Sequence, residues 1–109
     1  MICALCLLLA KSPITRDFSV YHSRYAGRTM AYKGQLYDPN KLTVASNDWK
    51  LGTRLELRYG KYRVTVTVTD RMAKTWTGRR VDLSTAAWRK LGGGKPGILR
   101  GGRVEDKTK

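Results

Sequence analysis

Between Thr53 and Thr69 apolar and polar positions alternate with a period of two, and the alternation is interrupted once, at Gly60. Before the glycine, Leu55, Leu57 and Tyr59 oppose Arg54, Glu56 and Arg58; after it, Tyr62, Val64, Val66 and Val68 oppose Arg63, Thr65, Thr67 and Thr69. Successive side chains of a strand point to opposite faces, so the pattern predicts a hairpin of strands 53–59 and 61–69 with one core face and one wet face. From Phe18 onward Gly27, Gly34, Gly52, Gly60 and Gly78 punctuate further short apolar stretches, a β-rich rhythm. Two short helices interrupt it. Asp38-Pro39 offers an N-cap and a first-turn proline for a helix over 38–42, and Ser84 caps a helix running to Leu91 before Gly92. Leu83 and Trp88 can pack as a hydrophobic staple across the second cap. Gly92-Gly93-Gly94 reads as a flexible joint and residues 105–109 as a polar tail.

A chain of 109 residues, 41% apolar, suits one domain with one modest core. That domain is expected over 17–104. Ahead of it Ile2 to Ala10 is an unbroken apolar run, shorter than a membrane span and within the length of a secretory h-region. Residues 1–16 therefore read as a truncated signal peptide or leader, with export to the periplasm or cell envelope; a buried first strand is the alternative. Cys3 and Cys6 both lie in that run, so the processed domain has no disulfide framework and no cysteine metal site. Charge narrows the choice of partner only partly. Lys and Arg number 22 against 8 acidic residues, a formal +14, which attracts nucleic acid, lipid headgroups and anionic envelope polymers alike, each more weakly as salt rises.

Strand parity singles out one acid. Two residues beyond Val68 on the apolar face comes Asp70, and a carboxyl that ends an apolar face is partly desolvated, which raises its pKa and suits it to general-acid work. A turn role or an ion pair with Arg71 is the alternative. Of the other acids, Asp17, Glu105 and Asp106 fall near the chain ends and Glu56 on the wet face, leaving Asp38, Asp48 and Asp82. Asp38 is as readily a helix cap as a site residue, Asp82 can tie a turn before the Ser84 cap, and Asp48 reads as a loop residue. His22, the only histidine, reads as a surface or hydrogen-bonded group. Trp88 belongs to the buried face of its helix, so Trp76, after Asp70, is the better candidate for stacking on a sugar ring, with Trp49 second. Arg71, Lys74, Arg79 and Arg80 surround that loop and can hold carboxylates or phosphates, or simply be solvated.

The blocks Leu42-Thr43-Val44-Ala45-Ser46, Leu51-Gly52-Thr53-Arg54, Val66-Thr67-Val68-Thr69-Asp70-Arg71 and Val81-Asp82-Leu83-Ser84-Thr85-Ala86-Ala87 occur in an order and spacing that resembles the RlpA-like double-psi β-barrels. The likeness extends upstream through Tyr21, Gly27-Arg28, Met30-Ala31 and Gly34-Gln35-Leu36-Tyr37-Asp38, covering about residues 18–104. It implies a mainly β fold, a six-stranded double-psi β-barrel with one or two short helices. It also implies a lytic transglycosylase acting on peptidoglycan without cofactor or metal: Asp70 protonates the glycosidic oxygen between MurNAc and GlcNAc, and the MurNAc C6 hydroxyl attacks to leave a 1,6-anhydro end. One acid/base group suffices because the nucleophile belongs to the substrate, whereas hydrolysis normally needs two carboxylates. Gln35, Asp38, Ser46, Arg71, Trp76 and Asp82 are the substrate-binding candidates that accompany Asp70. The chain departs from the pattern at Gln35, where many relatives carry glutamate, at Ser46, where many carry histidine, and at Met72, where glycine is usual; Tyr32-Lys33 adds a position. Gln35 can bind a sugar but not protonate it, so a non-catalytic, expansin-like glycan binder is the second reading. A monomer on glycan strands, with anionic envelope polymers as further partners, is expected. Nucleic acid is not, since the chain has no RNP, KH or helix-turn-helix signature.

Overall fold

The computed structural model describes residues 14–108; the apolar run 2–10 with both cysteines lies outside them. Six strands follow in chain order: β1 Ile14–Val20, β2 Thr43–Ala45, β3 Arg54–Tyr59, β4 Tyr62–Asp70, β5 Arg80–Leu83 and β6 Leu99–Asp106. One helix, α1 Thr85–Lys90, lies between β5 and β6, and single 3-10 turns occupy Ser23–Tyr25 and Lys74–Trp76. The strands close into a barrel in the order β1-β5-β2-β4-β3-β6. Two pairs are parallel, β1 with β5 and β2 with β4, and the others antiparallel.

The alternating hairpin forms as the periodicity predicts, Leu55 opposite Val66 and Leu57 opposite Val64. These four are buried with Phe18, Val68, Val81 and Leu83 in a core that α1 completes from one side with Ala87, Trp88 and Leu91. Alternation fails at the hairpin tip. Tyr62 is 44% exposed and lies over Gly92, where a Cβ would come 2.8 Å from its ring. Ser84 caps α1 as expected, its Oγ accepting from Ala87 N at 3.3 Å, and Leu83 and Trp88 are both buried in the core.

Four expectations about elements are corrected. No helix forms over 38–42; Asp38 Oδ1 instead accepts from Asn40 N at 2.9 Å, a side-chain turn that delivers the chain into β2 three residues later. The glycines after α1 are pinned rather than loose: Gly93 N donates to Trp88 O, and Trp88 Nε1 donates to Gly94 O at 3.1 Å. Residues 105 and 106 belong to β6, paired with Glu56 and Leu55, because the barrel needs the full strand to close against β3. At the other end β1 already begins at Ile14 and pairs there with Val104, so barrel structure starts ahead of residue 17.

Candidate functional site

One row of residues crosses four neighbouring strands. Ala45 on β2 is in register with Asp70 on β4 and with Asp82 on β5, and Asp82 is in register with Ser19 on β1. Strands lie about 4.8 Å apart, so the two acidic residues stand roughly 10 Å apart at the backbone, with Ala45 between them in the row. Beneath the row a second cluster of Tyr21, Met30, Tyr37 and Ala45 is buried. Tyr37 donates its hydroxyl to Tyr21 O at 2.6 Å and accepts from Thr85 N, and the Tyr21 and Tyr37 rings sit 4.2 Å apart.

Asp70 does not simply continue the apolar face of β4. The β2–β4 register slips so that Val44 pairs with Val68 but Ala45 pairs with Asp70. Thr69 is the extra residue; it is buried, with Oγ1 donating to Met30 Sδ, while Asp70 is released half-buried into a groove of about 600 Å³. Its Oδ1 accepts from Ala31 N at 3.1 Å and Arg71 N at 3.0 Å, and the Tyr21 hydroxyl reaches Oδ2 at 3.5 Å. One oxygen is thereby anchored and the other carries a single long contact.

The desolvated carboxyl of the groove is Asp82. Burial pushes it above its ordinary value, opposed by the Ser19 hydroxyl, which donates to Oδ1 at 2.9 Å, and by the charge of Arg80. Burial also raises the Tyr21 phenol, Arg28 lowers it, and Asp70 and Asp82 raise it, so both carboxylates and Arg28 share one electrostatic field at that hydroxyl.

The other sequence candidates are placed as follows. Trp76 lines the groove half-buried, but the Arg80 guanidinium lies 3.6 Å from its ring centroid and covers one face. Arg71 also lines the groove, and its Nη1 donates to Ser46 O at 2.7 Å and to Trp49 O, tying the loop before β3 to the end of β4. Ser46 has no exposed surface, and its Oγ accepts from Asp48 N at 3.0 Å. Gln35 and Asp38 are brought together, but in a neighbouring cleft of about 740 Å³ that the 24–30 loop separates from Asp70. Asp48 is the loop residue expected, accepting from Gly78 N and paired with Arg16 at 3.0 Å, and beside it Asn47 clamps Ala73, Thr77 and Met72. Together they hold the 71–79 wall of the groove. His22 Nδ1 accepts from Arg24 N and caps the first 3-10 turn.

Residues 18–102 match the family described as lytic transglycolase, a double-psi barrel. The chain belongs to this family. Its closed six-stranded barrel with two parallel pairs is the double-psi architecture the sequence resemblance implies. Among solved structures, the Streptomyces papain inhibitor superposes with a TM-score of 0.67 at 21% identity, over 88% of this chain and 94% of that one, a likeness of fold. No curated protein matches the chain. Within the lytic transglycolase barrel, sequence reasoning assigned no role to Ser19, Tyr21, Arg24, Tyr25 or Arg28, all of which contact or line the groove. The Tyr-x-x-Arg-Tyr-x-x-Arg spacing of residues 21–28 was the available signal.

Proposed function

We propose that the protein is a peptidoglycan lytic transglycosylase with Asp70 as its acid/base group. The observation that carries this reading is a single carboxylate fixed through Oδ1 by two backbone amides, with Oδ2 turned to an open groove, in a barrel of the lytic transglycolase family. Asp70 gives its proton to the glycosidic oxygen as the C1–oxygen bond breaks. The C6 hydroxyl of the same sugar then closes on C1 and returns its proton to the carboxylate, so no water is consumed and the ring ends as a 1,6-anhydro sugar. Burial raises the pKa of Asp82, the second acid lining the groove. The apolar run 2–10 and the formal +14 support a place in the cell envelope.

The test is to incubate the protein and Asp70→Asn with intact and amidase-stripped peptidoglycan and to look for 1,6-anhydro products by mass spectrometry. Anhydro ends that vanish in the variant are expected. Retention of both proteins on the wall with no anhydro product would overturn catalysis and leave a glycan-binding barrel.

A further inference from the structure

Two arginines of the groove take no part in the chemistry at Asp70. Arg24 and Arg28 both line it, and both are exposed. Their guanidinium carbons lie 5.1 and 5.7 Å from the ring centroid of the one tyrosine between them, Tyr25, whose hydroxyl also accepts from Arg24 Nη2 at 3.1 Å. Tyr25 meets Tyr21 edge-on at 5.7 Å, and Tyr21 reaches Asp70, so the arginines connect to the carboxylate through two aromatic rings. The loop that holds them is braced: Gly27 N donates to Tyr37 O, Tyr37 N donates to Arg28 O, and Arg28 N donates to Tyr25 O. Gly27 has φ 85°, the left-handed turn that brings Arg28 back beside the ring.

Two like charges gathered on one ring repel each other, and among the described residues neither arginine is in an ion pair. The acids of the groove are otherwise served, Asp70 by backbone amides and Asp82 by Ser19. The groove therefore carries its acids over the Ala45 row and unpaired guanidinium charge at the 24–28 edge, apart from Arg71, whose Nη1 is turned to Ser46 O and Trp49 O. A ligand that fits both ends is neutral and hydroxyl-rich over the acids and anionic at the edge. Guanidinium groups present planar donor forks that match a carboxylate in two parallel hydrogen bonds.

We infer that Arg24, Tyr25 and Arg28 form a carboxylate subsite that selects glycans bearing acidic substituents over neutral glycans of the same backbone. This rests on the glycan reading above and assigns it a specificity determinant; the carboxylate is the sugar's own or belongs to an attached peptide.

The test measures retention by Asp70→Asn, which blocks turnover, on three matrices: amidase-stripped peptidoglycan strands, intact peptidoglycan, and chitin, which has the β-linked aminosugar backbone without the acid. The same measurement is made with Arg24→Gln/Arg28→Gln added, and with Arg63→Gln/Arg103→Gln added as a control that removes the same charge from strand faces away from the groove. Charge-assisted bidentate contacts lead us to expect that the starting protein prefers an acidic matrix to chitin by about tenfold or more, that the groove pair loses most of that preference, and that the control pair keeps it. A stronger hold on stripped strands assigns the sugar's own carboxylate; a stronger hold on intact wall assigns the peptide's. An unchanged preference in the groove pair, or an equal loss in the control pair, overturns the subsite while leaving the glycan reading intact. Retention on none of the matrices overturns both. Both arginines are exposed, so folding of the variants, checked by circular dichroism, is not expected to change.

Discussion

Closure of the barrel depends on a residue with no side chain. Gly102 lies on β6 opposite Arg16 of β1, where the β1–β6 register slips before Phe18. The Phe18 ring, 0% exposed, crosses the space in front of Gly102: a Cβ there would sit 2.2 Å from Cε2, 2.3 Å from Cζ and 2.8 Å from Cδ2. Carbon atoms pack at about 3.5–4.0 Å, so Gly102→Ala requires the ring or the strand to move by more than about 1 Å. The ring is not a flexible tip; it is enclosed in the core with Val81, Leu83 and Val104, which has no spare volume to receive it. Overpacking of this kind costs about 1–3 kcal/mol, and the three sub-van der Waals contacts place this site near the upper figure. A loss of about 3 kcal/mol lowers Tm by roughly 10 °C or more in a domain of this size. The assay is urea unfolding with an unchanged m-value, so that a lower midpoint reports stability alone. Phe18→Leu replaces the ring with a shorter side chain and opens the space the added methyl needs, so the double variant should recover about 1 kcal/mol or more relative to the sum of the singles. A Gly102→Ala protein within about 0.5 kcal/mol of the parent, or strict additivity in the double variant, would refute the account of the seam.

Two further outcomes follow from the groove and its floor. Asp82 has a folded pKa above the ordinary 3.8, so the neutral form is favoured in the fold, its contribution is fully present below 3.8, and it is lost as pH rises through the higher folded value. Each unit of that elevation is worth about 1.4 kcal/mol, so Asp82→Asn should gain stability relative to the parent as pH climbs from below 4 towards neutrality. Unfolding curves across that range check it, and a gap that stays constant or moves the other way would sink the burial argument. Tyr37→Phe leaves Tyr21 O and Thr85 N without their buried hydroxyl partner and should cost about 1–3 kcal/mol in the same assay; a neutral effect would mean that the second cluster is not held by that hydroxyl.

Local pattern and local chemistry were legible to different depths. The β3–β4 hairpin could be read because each strand buries one face only, so period-two alternation survives in the composition. Helix α1 could be read because its cap, staple and terminating Gly92 are all local signals: Ser84 caps the helix, Leu83 and Trp88 are both buried in the core, and the chain turns at Gly92 with positive φ. The Asp38-Pro39 signal misled because a cap and a proline favour a first turn without supplying the apolar stripe a helix must bury, and the Asp38 side chain closes an equally good turn by itself. Three-residue β2 offered no period at all. Its place between β4 and β5 depends on contacts distant in sequence, for which only the family resemblance gave warning.

The site shows the same division more sharply. Parity pointed to Asp70, but the Thr69 register slip means that Asp70 reaches the groove by a different route: the threonine takes the buried position and the carboxylate is delivered to open space. Burial raises the pKa of Asp82, a residue whose local setting suggested a turn. What decides between them is position in the barrel. β2 lies between two strands that each carry an acid beside Ala45, and the small Ala45 packs with Tyr21, whose hydroxyl reaches Asp70 and lies in the field of both acids. The groove likewise depends on tertiary closure, which brings the 24–28 loop over the Tyr21–Tyr37 pair and so beside Asp70. Counting basic residues gave a net attraction for anions everywhere on the surface. Only the fold distinguishes Arg71, whose Nη1 is held by Ser46 O and Trp49 O, from Arg24 and Arg28, which gather on the Tyr25 ring. Internal hydrogen bonds to neutral carbonyls leave a guanidinium its charge and fix its direction: Nη1 of Arg71 is turned to the 46–49 loop, whereas Arg24 and Arg28 gather on Tyr25 at the 24–28 edge of the groove.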